Sequence, residues 1–123
     1  MAHILRWSIT LEVDPLKALL TMTALTQEQF ALHLTTSFRL AEADRETQLE
    51  LIEVSELKRT AGQERFSLIF RGPLESFIPQ GCYDVRHDQM GEFPLFIVPI
   101  RQDSEGFYYE AVFNRLTEQT ATP

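Results

Sequence analysis

The side chains that could do chemistry in this chain are few and scattered. Its three histidines, His3, His33 and His87, stand far apart, and none lies two or four residues from another strong ligand. Convergence of His33 and His87 in space would still fall short of the ligand number that a zinc site takes. His87, next to Asp88, reads as a strand-end residue facing solvent. Cys82 follows Gly81 at a strand start and has no basic neighbour to generate a thiolate, so it reads as a small buried filler. The acids Glu42, Asp44, Glu46, Glu50, Glu53 and Glu56 lack the D-x-D-x-D-G spacing of a calcium loop and read as a solvated face. No G-x-S-x-G elbow supports Ser-His-Asp chemistry. The pattern points away from an enzyme, and it assigns no catalytic residue, no metal and no cofactor.

Thr60 to Phe66 spell TAGQERF, which resembles the switch region of small GTPases. Arg59 stands where that family carries a magnesium-linked Asp, and no G-x-x-x-x-G-K-[ST] loop is present to cradle a triphosphate. The match is read as chance, in a polar loop from Lys58 to Arg65 around Gly62.

The bulk properties fit a single globular domain. At 123 residues the chain can bury roughly two-thirds of its unfolded surface. Hydrophobic residues at 44% and charged residues at 24% exclude a wholly disordered chain. A net charge of −7 and a pI near 4.9 repel a phosphate backbone, and no Lys/Arg stripe offsets this, so no nucleic-acid partner is expected. One cysteine allows no intrachain disulfide. No apolar run approaches the ~20 residues of a membrane span, and Glu12, Asp14 and Lys17 interrupt any signal-peptide core. The expected setting is soluble and reducing, most simply the cytoplasm, with no membrane contact.

The elements that would position these residues are mostly strands. Residues 5–13 alternate without a fault, with Leu5, Trp7, Ile9, Leu11 and Val13 on one face. Asp14-Pro15 offers a helix start, and residues 16–22 could hold two turns. Thr26 and Gln29 form a capping box, with Leu25 stapled against Phe30. The helix they open should end near Thr35 and turn Phe30, Leu34 and Ala31 inward. Further strands are expected near 37–42, 47–56, 65–71, 82–88, 93–100 and 107–114. Glu42 to Glu46 reads as a hairpin loop. Between residues 47 and 57 the alternation slips phase, since Leu49 and Leu51 share one face while Ile52 and Val54 share the other. A bulge would accommodate that slip. Such a chain must hide its strand edges, which predicts a compact six- to seven-stranded antiparallel barrel or sandwich with one or two short N-terminal helices. Residues 1–24 read as an N-terminal strand extension, 25–116 as the β-rich domain and 117–123 as a flexible tail. Phe70, Tyr83, Leu95, Ile97, Tyr109 and Phe113 are the expected core.

Four stretches carry a resemblance: FSLIFRGP at 66–73, PQGCY at 79–83, GEFPLFIVPI at 91–100 and YEAVFN at 109–114. Together with Leu25-Thr26, Phe30 and Phe38-Arg39-Leu40, they resemble an uncharacterised family of small bacterial β-rich domains. Its pattern runs FSLxFxGP, PQGxY, GxFxLFxVP and YEAxFN. The resemblance spans about residues 25–116 and brings no catalytic residue. Members are similar to genes found near phage-tail-like fibre or collar proteins, which implies a place in an assembly. Residue by residue, the motifs are structural: Gly72-Pro73 and Pro79-Gln80-Gly81 set turns.

Two readings of function follow. The first is a non-enzymatic structural, assembly or adaptor protein with a protein partner or a second copy of itself. Phe93, Leu95 and Ile97 occupy one face of a strand, while Phe96, Val98 and Ile100 occupy the other. A one-layer barrel buries only one of these faces, so the other must meet a helix or another chain. The candidate interface is Leu5, Trp7, Ile9, Leu11, Phe96, Val98 and Ile100. The alternating strand at 5–13 would either join the same sheet or add to a partner's edge. The second reading is a small-ligand or carbohydrate-binding module, with Trp7, Phe77, Tyr83, Phe107 and Tyr108 lining a barrel mouth or a stacking face.

Overall fold

The computed structural model describes residues 25–116. The strand expected at 5–13, the helix at 16–22 and the tail 117–123 lie outside the described residues. One helix, α1 (Gln27–Ala31), precedes seven strands: β1 (Ser37–Ala41), β2 (Glu46–Val54), β3 (Lys58–Thr60), β4 (Gln63–Gly72), β5 (Gly81–His87), β6 (Gly91–Asp103) and β7 (Gly106–Leu116). All pairings are antiparallel, in the order β2-β1-β5-β6-β7-β4-β3. Pairing of β2 with β4 closes six strands into a barrel and leaves β3 as an extra strand on β4. Closure removes the edges that an open sheet would expose. No helix among the described residues is long and apolar enough to cross a membrane.

The barrel is filled by the period-two positions of its strands. Phe38 and Leu40 of β1, Leu49 and Leu51 of β2, Phe66, Leu68 and Phe70 of β4, Phe93, Leu95 and Ile97 of β6, and Tyr109 and Ala111 of β7 are all buried. Tyr83 and Phe113 sit at the margin of this cluster, half-buried. The slip in β2 is a bulge: Leu51 pairs with Phe70 and Glu53 with Ile69, so Ile52 is the extra residue and Val54 packs onto the core. Beyond it, Ser55 and Ser67 clasp the corner between β2 and β3. The Ser55 N–H donates to the Ser67 carbonyl (2.9 Å), and the Ser67 N–H donates to Ser55 Oγ (2.8 Å).

Two expectations need correcting here. Lys58 to Arg65 is not a loop but the β3–β4 hairpin, turning at Gly62 with φ 81°. The helix ends at Ala31, well short of Thr35. Thr26 caps it as its box requires, its hydroxyl accepting from the Gln29 N–H at 3.1 Å. Tertiary bonds then stop it: the Thr35 N–H donates to the Leu51 carbonyl (2.7 Å), with Thr35 in the left-handed region at φ 65°. Only Phe30 of the expected helix face is buried; Ala31 and Leu34 are exposed.

Candidate functional site

The outer wall of β6 and β7 carries the described part of the expected interface. Along β6 the inward Phe93, Leu95 and Ile97 alternate with outward residues, as the pleat demands. Phe96 is 52% exposed and Ile100 40%, while Val98 is half-buried. Val112 of β7 adds another half-exposed apolar side chain. Phe96 stands opposite Cys82 on β5, and Val98 opposite Glu110 on β7. Helix α1 does not cover this wall; it enters the barrel end instead. Leu5, Trp7, Ile9 and Leu11 lie outside the described residues.

Two prolines on β6 sit where they cost the sheet little. Pro94 falls in the stretch that pairs with β5 alone, since among the described residues the β6–β7 ladder begins only at Val98 and Glu110. Pro99 abuts a bulge, where the register passes from Pro99↔Tyr109 to Arg101↔Tyr108 and Ile100 is the extra residue. Prolines in sheets are confined to such positions. At this end of the barrel, the mouth, Phe30 packs between Phe93 of β6 and Phe113 of β7. Its ring meets Phe38 at 6.3 Å, Phe66 at 6.2 Å, Phe93 at 5.9 Å and Phe113 at 5.4 Å between centroids, one partner from each of four strands.

The opposite end is stoppered by the connection between β4 and β5. Ile78 is fully buried, and its N–H donates to Tyr109 Oη at 3.0 Å. Burial pushes the Tyr109 hydroxyl's pKa up. The Tyr83 hydroxyl donates to the Pro79 carbonyl (2.7 Å), and the Thr47 and Ser76 hydroxyls lie 3.2 Å apart. Phe77, 47% exposed, meets Phe107 edge-on at 5.1 Å. Of the aromatics considered for a stacking face, Phe77 is exposed, Phe107 and Tyr83 are half-buried against the core, Tyr108 is buried and Trp7 lies outside the described residues.

A polar network lies on the outside near Tyr108. Arg71 donates to Glu50 Oε1 (2.6 Å) and Glu105 Oε1 (3.0 Å), and its bond to Glu50 is the main reason its pKa stands above the ordinary arginine value. The Glu105 N–H and the Tyr108 hydroxyl both donate to the Asp103 carboxylate, which lowers the Asp103 pKa and raises that of Tyr108. Arg101 lies over the Tyr108 ring, 4.2 Å from its centroid. Arg71 is thus held between two carboxylates, and Arg101 by an aromatic face.

The residues singled out for chemistry fall as follows. Among the described residues no group of three or more His, Cys, Asp or Glu is gathered as a metal site. His33 and His87 do converge, with ring centroids 4.5 Å apart. His87 is buried, not solvent-facing, and Cys82 is exposed, not a core filler. Both corrections follow from strand parity: Val85 points inward, so His87 does too and Cys82 points out. The GTPase-like stretch is spent on structure. Gln63 pairs with both Thr60 and Leu116, and Glu64 bridges Arg59 and Arg115.

A profile of the family described as "Domain of unknown function (DUF6916)" matches residues 25–113. The chain belongs to this family. Its match runs from Leu25, a member of the buried core cluster with Phe30, to Phe113 near the end of β7. No curated protein and no solved structure matches the chain.

Proposed function

We propose that this DUF6916 protein is a non-enzymatic structural or adaptor component that docks to protein subunits through the outer wall of β6 and β7. The observation that carries the reading is the exposure of large apolar side chains on these two strands, Phe96 at 52%, Ile100 at 40% and Val112 at 47%. Exposed apolar side chains lose water favourably against a partner. The finer part of the proposal, a bacterial phage-tail-like assembly, draws on the family resemblance of the four motifs. Residues 5–13 enter it on their sequence alternation alone, as a further apolar face for self-association or for a neighbouring subunit. The acidic balance supports a protein partner over nucleic acid. The single cysteine supports a reducing, cytoplasmic location.

Sedimentation of the full chain tests this. Mass is expected to rise with concentration into the high micromolar range, or on mixing with the products of adjacent genes. Phe96→Asp combined with Ile100→Asp should abolish that rise while the melting temperature stays within a few degrees. Deleting residues 1–14 should weaken association and leave the 25–116 barrel folded. A chain that stays monomeric under both conditions would refute the reading. The second reading, a small-ligand or carbohydrate-binding module, draws on the exposed Phe77, whose ring meets the half-buried Phe107. A thermal shift of several degrees with a defined sugar, lost in Phe77→Ala, would favour it instead.

A further inference from the structure

His87 is the last residue of β5 and one of two buried polar side chains among the described residues, with Thr47. Its Nδ1 accepts two backbone N–H groups, from Gln89 at 3.0 Å and Met90 at 3.2 Å, which shape the β5–β6 turn. A ring nitrogen that accepts twice has no room for a hydrogen of its own, so the proton sits on Nε2. Nε2 lies 3.0 Å from Thr36 Oγ1, and the Thr36 hydroxyl is itself turned to donate to the His33 carbonyl at 2.6 Å. Thr36 Oγ1 is therefore the acceptor and His87 the donor. The same ring packs on Phe38 (4.4 Å) and His33 (4.5 Å). One neutral imidazole thus ties the turn at 88–90, the start of β1 and the segment after α1, at the mouth that Phe30 plugs.

The charges around it come from three elements. His33 faces it from the segment after α1, Arg39 from β1 and Asp88 from the turn. Arg39 donates to Asp88 at 2.9 Å, so the carboxylate that would welcome a second imidazole proton is engaged already and largely solvated. No acid stands ready at Nδ1.

We propose that His87 is an acid-sensitive latch on the α1 end of the barrel: a proton on Nδ1 breaks both turn bonds together and puts a charge on a buried ring beside His33, and the charged ring moves out toward water, giving up its Nε2 bond to Thr36 and so freeing the 88–90 turn and the α1–β1 connection, while the Tyr109 end stays closed. Opening would bring the aromatic cluster around Phe30 within reach of a partner. The sign follows from burial first and His33 second, which hold the closed-state His87 below its ordinary pKa of 6.5. The open form binds the proton better. The closed form is thus fully favoured above about pH 6.5 and loses ground as pH falls below it, by up to about tenfold per pH unit for one proton.

Hydrogen exchange on the full chain between pH 7.5 and 5.0, corrected for intrinsic rates, tests the latch. Protection at the Gln89, Met90 and Phe30 amides should fall by up to about tenfold per pH unit below 6.5, while Ile78 and Tyr109 hold theirs. Nitrogen chemical shifts of the His87 ring should report a bare Nδ1 and a protonated Nε2 at neutral pH. His87→Gln should flatten the pH dependence at this end. Thr36→Val, which keeps both turn bonds, should retain it. Protection that is indifferent to pH, that is lost equally at Tyr109, or that keeps its full pH dependence in His87→Gln would overturn the proposal. Should His87→Gln fail to fold, the unaltered chain's two ends decide.

Discussion

Replacing Phe30 by Ala asks whether a helix of five residues governs the stability of the whole barrel. Such a helix is too short to form alone, so its place depends on what its side chains bury. Phe30 is fully buried, with ring neighbours from β1, β4, β6 and β7. A phenylalanine removes about 200 Å² from water, worth roughly 5 kcal/mol at ~25 cal/mol per Å². The extended-chain reference makes that an upper bound. Core Phe→Ala changes cost ~3–5 kcal/mol once the cavity is included. Against a typical domain stability of ~5–15 kcal/mol this is roughly a fifth or more. For a domain of this size it corresponds to a melting temperature lower by roughly 15–30 °C. Leu32→Ala, two residues on and 70% exposed, should stay within ~0.5 kcal/mol. Urea unfolding followed by fluorescence and far-UV circular dichroism gives both numbers. A loss below about 1 kcal/mol for Phe30→Ala would show that α1 merely leans on the mouth, and the plug argument would fall.

Two further substitutions probe the other end. Tyr109→Phe keeps the ring but strands the buried Ile78 N–H, which should cost ~1–3 kcal/mol in the same urea titration; an unchanged midpoint would mean that water or another acceptor takes over. Gly106→Ala sets a Cβ against the carbonyl oxygen of Gly72 at a φ of 157°, so backbone must shift across the β4–β7 pair; a calorimetric melting temperature within 2 °C of the parent, against an expected drop of several degrees, would refute that contact.

The barrel was legible because inward positions recur with period two and the turn residues interrupt them. Even the β2 bulge showed, as the phase slip between Leu51 and Ile52. What was not legible has physical causes. Lys58-Arg59-Thr60 is exposed throughout, so β3 offers no apolar alternation and is held by its ladder to β4. The capping box marks where α1 begins, but nothing local marks its end, because Thr35 bonds to Leu51 on a distant strand. His87 was misread from its neighbour Asp88, although the alternation of Val85 and His87 in one strand carried the signal. The Thr36–His87 bond spans 51 residues of chain, a juxtaposition that sequence spacing could not reveal.

The way the barrel is filled bears on what it can do. A ligand-carrying barrel keeps an interior space with an open mouth. Here Phe30 meets rings from four strands at one end, and Ile78 with Tyr109 closes the other. Between them the interior belongs to Phe38, Phe70, Leu68 and Ile97, all without exposure. A small molecule therefore has to displace the chain's own side chains or bind outside. Outside, Arg71 is held between Glu50 and Glu105, while Phe96, Ile100 and Val112 keep apolar surface in water. On the proposal made above, the counterpart of β6 and β7 is a protein surface rather than a small ligand. The mouth differs from the wall: the wall is exposed at rest, whereas the aromatic cluster around Phe30 is reached only if the mouth opens.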